Sequence, residues 1–241
     1  MAVELVRAAK GDHVLLFDPK SHQYRLQGPD GERVLPSVNQ VLSLLAKPKL
    51  QDWAMGLAMR KVLEGYVPGM GTEELALLLE EARKAPNEEA KRAQSTGTSV
   101  HAWIEGFLLS PHTPPPLPEE EEARRAVESF LFWWRERPRI PALREAIVAH
   151  PELGFAGRFD LLLGDGTLVD FKTSKAIYPE YELQVGAYAL ALEAWEGIRA
   201  RRGMILRLGK DGSFEAKEVD LGRAGEAFKG LLLAWRYLNG L

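Results

Sequence analysis

The chain contains no cysteine. That removes disulfides, thiolate zinc sites, thiol nucleophiles and cysteine-held iron–sulfur clusters at one stroke. It also lacks an apolar run long enough to span a bilayer, so no membrane partner is expected. The opening Met-Ala-Val-Glu-Leu-Val-Arg has neither the h-region nor the cleavage site of a secretory signal, so a cytoplasmic location is expected. No Gly-x-x-x-x-Gly-Lys-Ser/Thr occurs, so no nucleotide cofactor is expected and any ATP-driven motor would be a separate protein. Asparagine is scarce, with only Asn39, Asn87 and Asn239, a bias shared by heat-stable proteins and by those of GC-rich genomes.

There is no excess of positive charge either: the formal net charge is -3 over 241 residues. A nucleic-acid ligand would therefore have to be met by local basic clusters, with the acids kept elsewhere. Lys47 and Lys49 beside Trp53 form the best such group for stacking on a base, although each basic cluster alone is most simply a solvated helix face. The apolar and charged fractions are those of an ordinary globular chain, long enough for one sizeable core.

Along the chain, Val14–Phe17 and Tyr24–Leu26 read as strands around turn residues, and Ser37 reads as the N-cap of a helix reaching Ala46 and stopped by Pro48. Further helices are expected through Trp53 to Gly65, from Thr72 to Lys84, from Ser99 to Leu109 after Gly97-Thr98, and from Glu119 to Arg137. The Pro-rich stretch 110–118 cannot be helical and should be a crossover. Trp133, Trp134 and Phe107 sit in Leu-rich helical stretches and read as core. From Ala142 the texture becomes β-β-β-α-β-β-α. Three successive strands and then a helix point to a mixed sheet with helices on it. The expected division is an N-terminal β-hairpin and helical region, 1–96, followed by an α/β core, 97–241.

The chemistry concentrates in Gly157-Arg158-Phe159-Asp160 and Val169-Asp170-Phe171-Lys172, joined by Gly164-Asp165-Gly166. A three-residue loop with Gly166 left-handed sets Leu163 opposite Thr167 and Asp160 opposite Asp170. Asp160, Asp170 and Lys172 then share one face by the two-residue alternation of a strand. A two-residue loop would instead split the two acids across the sheet. Facing carboxylates repel and lose hydration, so they call for a cation. Oxygen ligands there suit Mg²⁺ or Mn²⁺. A bare Asp-x-Lys on a strand is otherwise most simply a buried ion pair.

Asp160 with Asp170-Phe171-Lys172 resembles the PD-(D/E)xK nuclease pattern. Gly97-Thr98-Ser99-Val100-His101-Ala102-Trp103-Ile104-Glu105 resembles the helix-borne histidine motif of that superfamily's RecB-like exonuclease branch, and Gln184-Val185-Gly186-Ala187-Tyr188 its Gln-x-x-x-Tyr motif. The leader Leu35-Pro36-Ser37-Val38-Asn39-Gln40-Val41-Leu42 is similar to that of small phage-type and mitochondrial genome-maintenance exonucleases. Each motif alone is weak, but all four occur in order between Pro36 and Leu190.

The resemblance implies a restriction-endonuclease-like core, with a central mixed sheet flanked by helices, behind a helix-rich front. It implies that His101, Asp160, Asp170 and the Phe171 carbonyl bind Mg²⁺ or Mn²⁺, that Lys172 is the catalytic lysine, and that Gln184 and Tyr188 brace the site or contact DNA. Arg158, Thr173 and Ser174 are candidate nucleic-acid contacts beside it. The implied substrate is DNA, as a single strand with a free end, in repair, recombination or replication. Relatives with an iron–sulfur cluster hold it with four cysteines, and this chain has none. Glu145 and Glu152 flank the motifs, and the sequence assigns neither a role.

Overall fold

The computed structural model describes residues 6–45, 48–136 and 139–241, with Pro48 and Lys49 described in backbone only. Its contacts divide the chain into two units, one of residues 1–45 with 100–241 and one of residues 46–99. The N-terminal strands and first helix, which the sequence groups with the front region, lie in the larger unit. No helix of the described residues is long and apolar enough to cross a membrane.

The first strands, β1 (Val6–Lys10), β2 (His13–Asp18), β3 (Gln23–Gly28) and β4 (Gly31–Leu35), form an antiparallel meander in chain order. Leu15, Phe17, Tyr24 and Leu26 alternate along its middle strands and are buried, as a one-faced sheet requires. Beyond β4 the chain joins a second sheet: the Ala156 N–H donates to the Pro36 carbonyl at 3.0 Å. Helix α1 (Val38–Leu42) starts at Ser37 as expected, inside a full capping box with Gln40. It is shorter than expected, because Ser43 closes it by returning its hydroxyl to the Gln40 carbonyl at 2.6 Å.

Helix α2 (Pro48–Gly65) begins with the proline that was expected to act as a stop, a residue well suited to the first helical position. Helix α3 (Thr72–Leu109) is one continuous element where the sequence suggests two, from Thr72 to Lys84 and from Ser99 to Leu109. Pro86 forfeits one ladder bond, yet strong helix formers surround it. The Thr98 hydroxyl, expected near a helix start, bonds back to the Gln94 carbonyl at 3.0 Å. The Pro-rich crossover is pinned by the Trp103 indole N–H, which donates to the Pro115 and Pro116 carbonyls at 3.1 Å.

After α4 (Glu121–Arg135) come β5 (Pro141–His150), β6 (Phe155–Leu163), β7 (Thr167–Lys172), α5 (Pro179–Glu196), β8 (Arg202–Leu208), β9 (Phe214–Val219) and α6 (Leu221–Leu238). The five strands form one sheet in chain order. They are antiparallel except for β8, which runs parallel to β7 after the α5 crossover. This is the expected mixed sheet flanked by helices.

Its apolar residues divide between two cores. Leu162, Leu168 and Ile205 enter one core with Val185, Ala191 and Phe228 of α5 and α6. Leu161, Val169, Phe171 and Leu206 enter the other with Trp103, Phe107, Phe130 and Trp133 of α3 and α4. The period-two pattern of β7 thus settles which way Asp170 and Lys172 turn: with Leu168, toward the α5 side.

Candidate active site

The β6–β7 turn has the three-residue form. Gly166 is left-handed at φ +84, its N–H donates to the Leu163 carbonyl at 2.9 Å, and Asp165 accepts the Thr167 N–H at 2.9 Å. Leu162 faces Leu168 and Leu161 faces Val169, the register that the three-residue loop predicts, and the ladder ends at that second pair. There the ladder gives way to a side chain: the Phe171 N–H donates to Asp160 Oδ2 at 2.6 Å. The carbonyl of a strand residue points to the same side as its N–H, so the Phe171 carbonyl is also directed toward β6.

Helix α3 supplies His101 and Glu105. Four helical residues rise about 6 Å, and two strand residues about 6.6 Å. Two contacts can therefore form in step between α3 and β6: His101 Nδ1 lies 3.4 Å from Asp160 Oδ1, and Arg158 Nη2 lies 3.5 Å from Glu105. His101 and Glu105 thus share a helix face, as expected, but reach different partners.

Glu145 of β5 completes the group. Its neighbours in the ladder, Arg144 and Ala146, face Leu161 and Phe159, so it lies across from Asp160. One ligand atom each from His101, Glu145 and Asp160 falls within 4.8 Å of the other two. Lys172 Nζ sits 2.5 Å from Asp170 Oδ2 and 4.9 Å from the centre of the Tyr181 ring. On α5, the Gln184 side-chain N–H₂ donates to the Tyr188 hydroxyl at 2.9 Å and to Asn39 of α1 at 3.0 Å. Gly157 is what lets Tyr188 lie against β6, since a Cβ there would meet the tyrosine ring at 2.5 Å.

Burial and mutual charge set the protonation states. Burial opposes charge on His101, but the Asp160 carboxylate outweighs it and raises the imidazole to about 9. Burial would raise Asp160, yet His101, Lys172 and the Phe171 N–H hold it below the ordinary range. Asp170 is pushed up to about 6 by burial, against the pull of Lys172. Burial also opposes charge on Lys172, but Asp170 and Asp160 hold its ammonium above the ordinary value. Glu145 rises to about 7 through burial and the nearby Asp160, and burial drives the Tyr188 phenol well above its usual value.

The donor set fits a hard divalent cation. Opposite ligands of an ion with bonds of about 2.1 Å stand about 4.2 Å apart, close to the spread of the His101, Glu145 and Asp160 atoms. Asp170 Oδ2 is buried and has no aligned hydrogen-bond donor, only the Lys172 charge beside it. One imidazole among carboxylates suits Mn²⁺ at least as well as Mg²⁺.

A stability test follows for the metal-free protein. His101, Glu145 and Asp170 are all raised on folding, so each contributes stability below its unfolded value that is lost as pH rises through its folded one. The windows are 6.5 to about 9 for His101, 4.5 to about 7 for Glu145 and 3.8 to about 6 for Asp170. Asp160 and Lys172 act outside this range. With the His101 side chain 32% exposed, solvent screening takes part of the effect. In chelator, melting is expected to drop by on the order of 5 °C between pH 6 and pH 9.5. A flat or rising melting curve across that range would contradict these protonation states.

Of the other sequence candidates, Lys47 lies outside the described residues, as does the Lys49 side chain. Trp53 is half-exposed on α2, in the unit of residues 46–99. Thr173 and Ser174 follow β7, and the Ser174 hydroxyl donates to the Ala176 carbonyl at 2.8 Å, closing the turn. Arg158 is held between Glu105 and Glu145. Glu145 itself escaped the sequence reading, because its place opposite Asp160 depends on a β5–β6 pairing that no motif marks.

No family model and no curated protein matches the chain. Among solved structures, a protein described as an exonuclease from Eubacterium rectale is similar at 15% identity, over 61% of this chain and 68% of that one, with a TM-score of 0.44. An alkaline exonuclease from Laribacter hongkongensis is similar at 15% identity, over 78% of this chain and 96% of that one, with a TM-score of 0.32. The same enzyme in complex with dAMP aligns at 19% identity over 58% of this chain and 82% of that one, with a TM-score of 0.30.

Proposed function

We propose that this chain is a divalent-metal-dependent nuclease that hydrolyses DNA phosphodiesters, working as an exonuclease from the free ends of single strands. One observation carries the reading: Asp160 and Asp170 on neighbouring strands, with Lys172, His101 and Glu145, converge at one end of the mixed sheet. Structural ion pairs need one acid and one base. This cluster has the carboxylates of Asp160, Asp170, Glu145 and Glu105 around one imidazole, one ammonium and one guanidinium, with a buried carboxylate oxygen left without an aligned donor.

Mg²⁺ or Mn²⁺, when bound, would neutralise phosphate charge and make a water acidic enough to attack phosphorus. His101, Asp160, Glu145 and Asp170 would hold it, with the Phe171 carbonyl on the same side. Lys172 keeps its proton, so it acts as a fixed positive donor that orients the attacking water and stabilises charge growing on the phosphoryl oxygens. It is not the resting base. Gln184 ties Tyr188 to Asn39 and so braces the α5 side of the site, leaving the Tyr188 hydroxyl proton available to an acceptor. The choice of DNA and of a free end rests on the four sequence motifs. Every acid and the lysine of the pattern are present, which speaks against a catalytically silent binding subunit.

End-labelled linear single strands, duplexes and circular single strands, each as DNA and RNA, with Mn²⁺, Mg²⁺ or chelator, test the proposal. Linear single-stranded DNA is expected to shorten with either metal, while circles survive and chelator stops the reaction. Circles cut as fast as linear strands would exclude the exonuclease mode. Loss of no substrate under any condition would exclude a nuclease.

A further inference from the structure

We infer that Arg158 is a positioning residue, which holds Glu145 in the shape a metal ligand needs and is not spent on nucleic acid. The inference rests on the metal site proposed above and concerns how its third carboxylate is kept in place.

Glu145 has a left-handed backbone, φ +43, inside a β-strand. Such a conformation costs energy for any residue with a Cβ and persists only where the surroundings over-determine it. Arg158 provides the hold. Its Nε–H lies 2.8 Å from Glu145 Oε2 and 3.2 Å from the Glu145 carbonyl oxygen, so one donor grips both the side chain and the backbone of the same residue. The other end of the guanidinium reaches Glu105, one turn beyond His101 on α3, at 3.5 Å. The planar fork of arginine can serve both carboxylates at once, which a lysine ammonium cannot match.

Arg158 and Asp160 both reach residues of α3, Arg158 at Glu105 and Asp160 at His101. The arginine therefore links the helix that brings His101 to the strand that brings Glu145, next to the residue both of them meet. Released from this grip, Glu145 could return to extended backbone, and its carboxylate would turn away with it.

Charge alone predicts the opposite outcome. Removing a cation near a metal site should tighten metal binding, whereas loss of a grip on a ligand should weaken it, ordinarily by about tenfold to a hundredfold. Mn²⁺ titration by calorimetry, without substrate, separates the two for wild type, Arg158→Gln, Arg158→Lys, Glu145→Gln and the Arg158→Gln/Glu145→Gln double variant. Melting curves report that each is folded.

The expected result is that Arg158→Gln weakens Mn²⁺ by about tenfold, that Arg158→Lys recovers only part of this, and that the double variant binds no more weakly than Glu145→Gln. Single-stranded DNA binding in chelator should be unchanged by Arg158→Gln. Arg158→Gln binding Mn²⁺ as well as wild type, losses that multiply in the double variant, or a fall in chelator-phase DNA affinity would each overturn the inference. Wild-type protein that binds no Mn²⁺ would instead overturn the metal reading beneath it.

Discussion

Lys172→Ala is expected to lower DNA cleavage by about a thousandfold or more, while Mn²⁺ binding stays intact or tightens. The two expectations pull apart because Lys172 plays opposite parts toward substrate and metal. Toward a phosphoryl group it would be a fixed donor, half-buried beside Asp170 and beneath Tyr181, whose charge needs no reorganisation during reaction. Toward a cation it is a like charge. Removing it leaves Asp170 free to turn its unpaired oxygen to the metal. Single-turnover cleavage and metal titration on the same preparation test both halves. Wild-type turnover by the variant would mean that the site is misassigned, and lost metal binding would mean that Lys172 is structural.

Asp160→Asn is expected to weaken Mn²⁺ binding by about a hundredfold or more, with cleavage falling beyond detection. The substitution preserves shape, and its amide oxygen can still accept the Phe171 N–H, so the end of the sheet should stay closed. What disappears is the charge on which two neighbours depend. Without it the His101 imidazole loses the partner that holds it above its ordinary value, and it should titrate below neutrality. His101 in the variant can be followed by NMR. An imidazole still charged at pH 8 would show that Asp160 is not its main support, and Mn²⁺ affinity equal to wild type would remove Asp160 from the ligand set.

The sequence was most informative where geometry is local. The register of β6 on β7 followed from Gly164-Asp165-Gly166, because a glycine able to go left-handed decides between a three-residue loop and a two-residue one. The Ser37 cap followed from a serine placed just before the helix, and the structure adds Gln40 to complete the box. The pairing of His101 with Asp160 could not be read that way: nothing local says that α3 runs unbroken past Gly97 or that it lies along β6. The same limit hid Glu145, whose left-handed backbone and arginine grip are products of tertiary packing. Arg158 differs again: a candidate nucleic-acid contact in the sequence, it has two carboxylates around it that only the packing brings into view.

The join between the N-terminal segment and the catalytic sheet bears on how the protein is made. Ala156 bonds to Pro36, and Gln184 reaches Asn39 across 145 residues of chain. Such distant pairings raise contact order and slow folding. On the ribosome, helix α1, which follows the opening meander, has to wait until α5 has emerged before it finds its seat. The candidate site is therefore assembled late in biogenesis, after the last of these distant pairs has emerged.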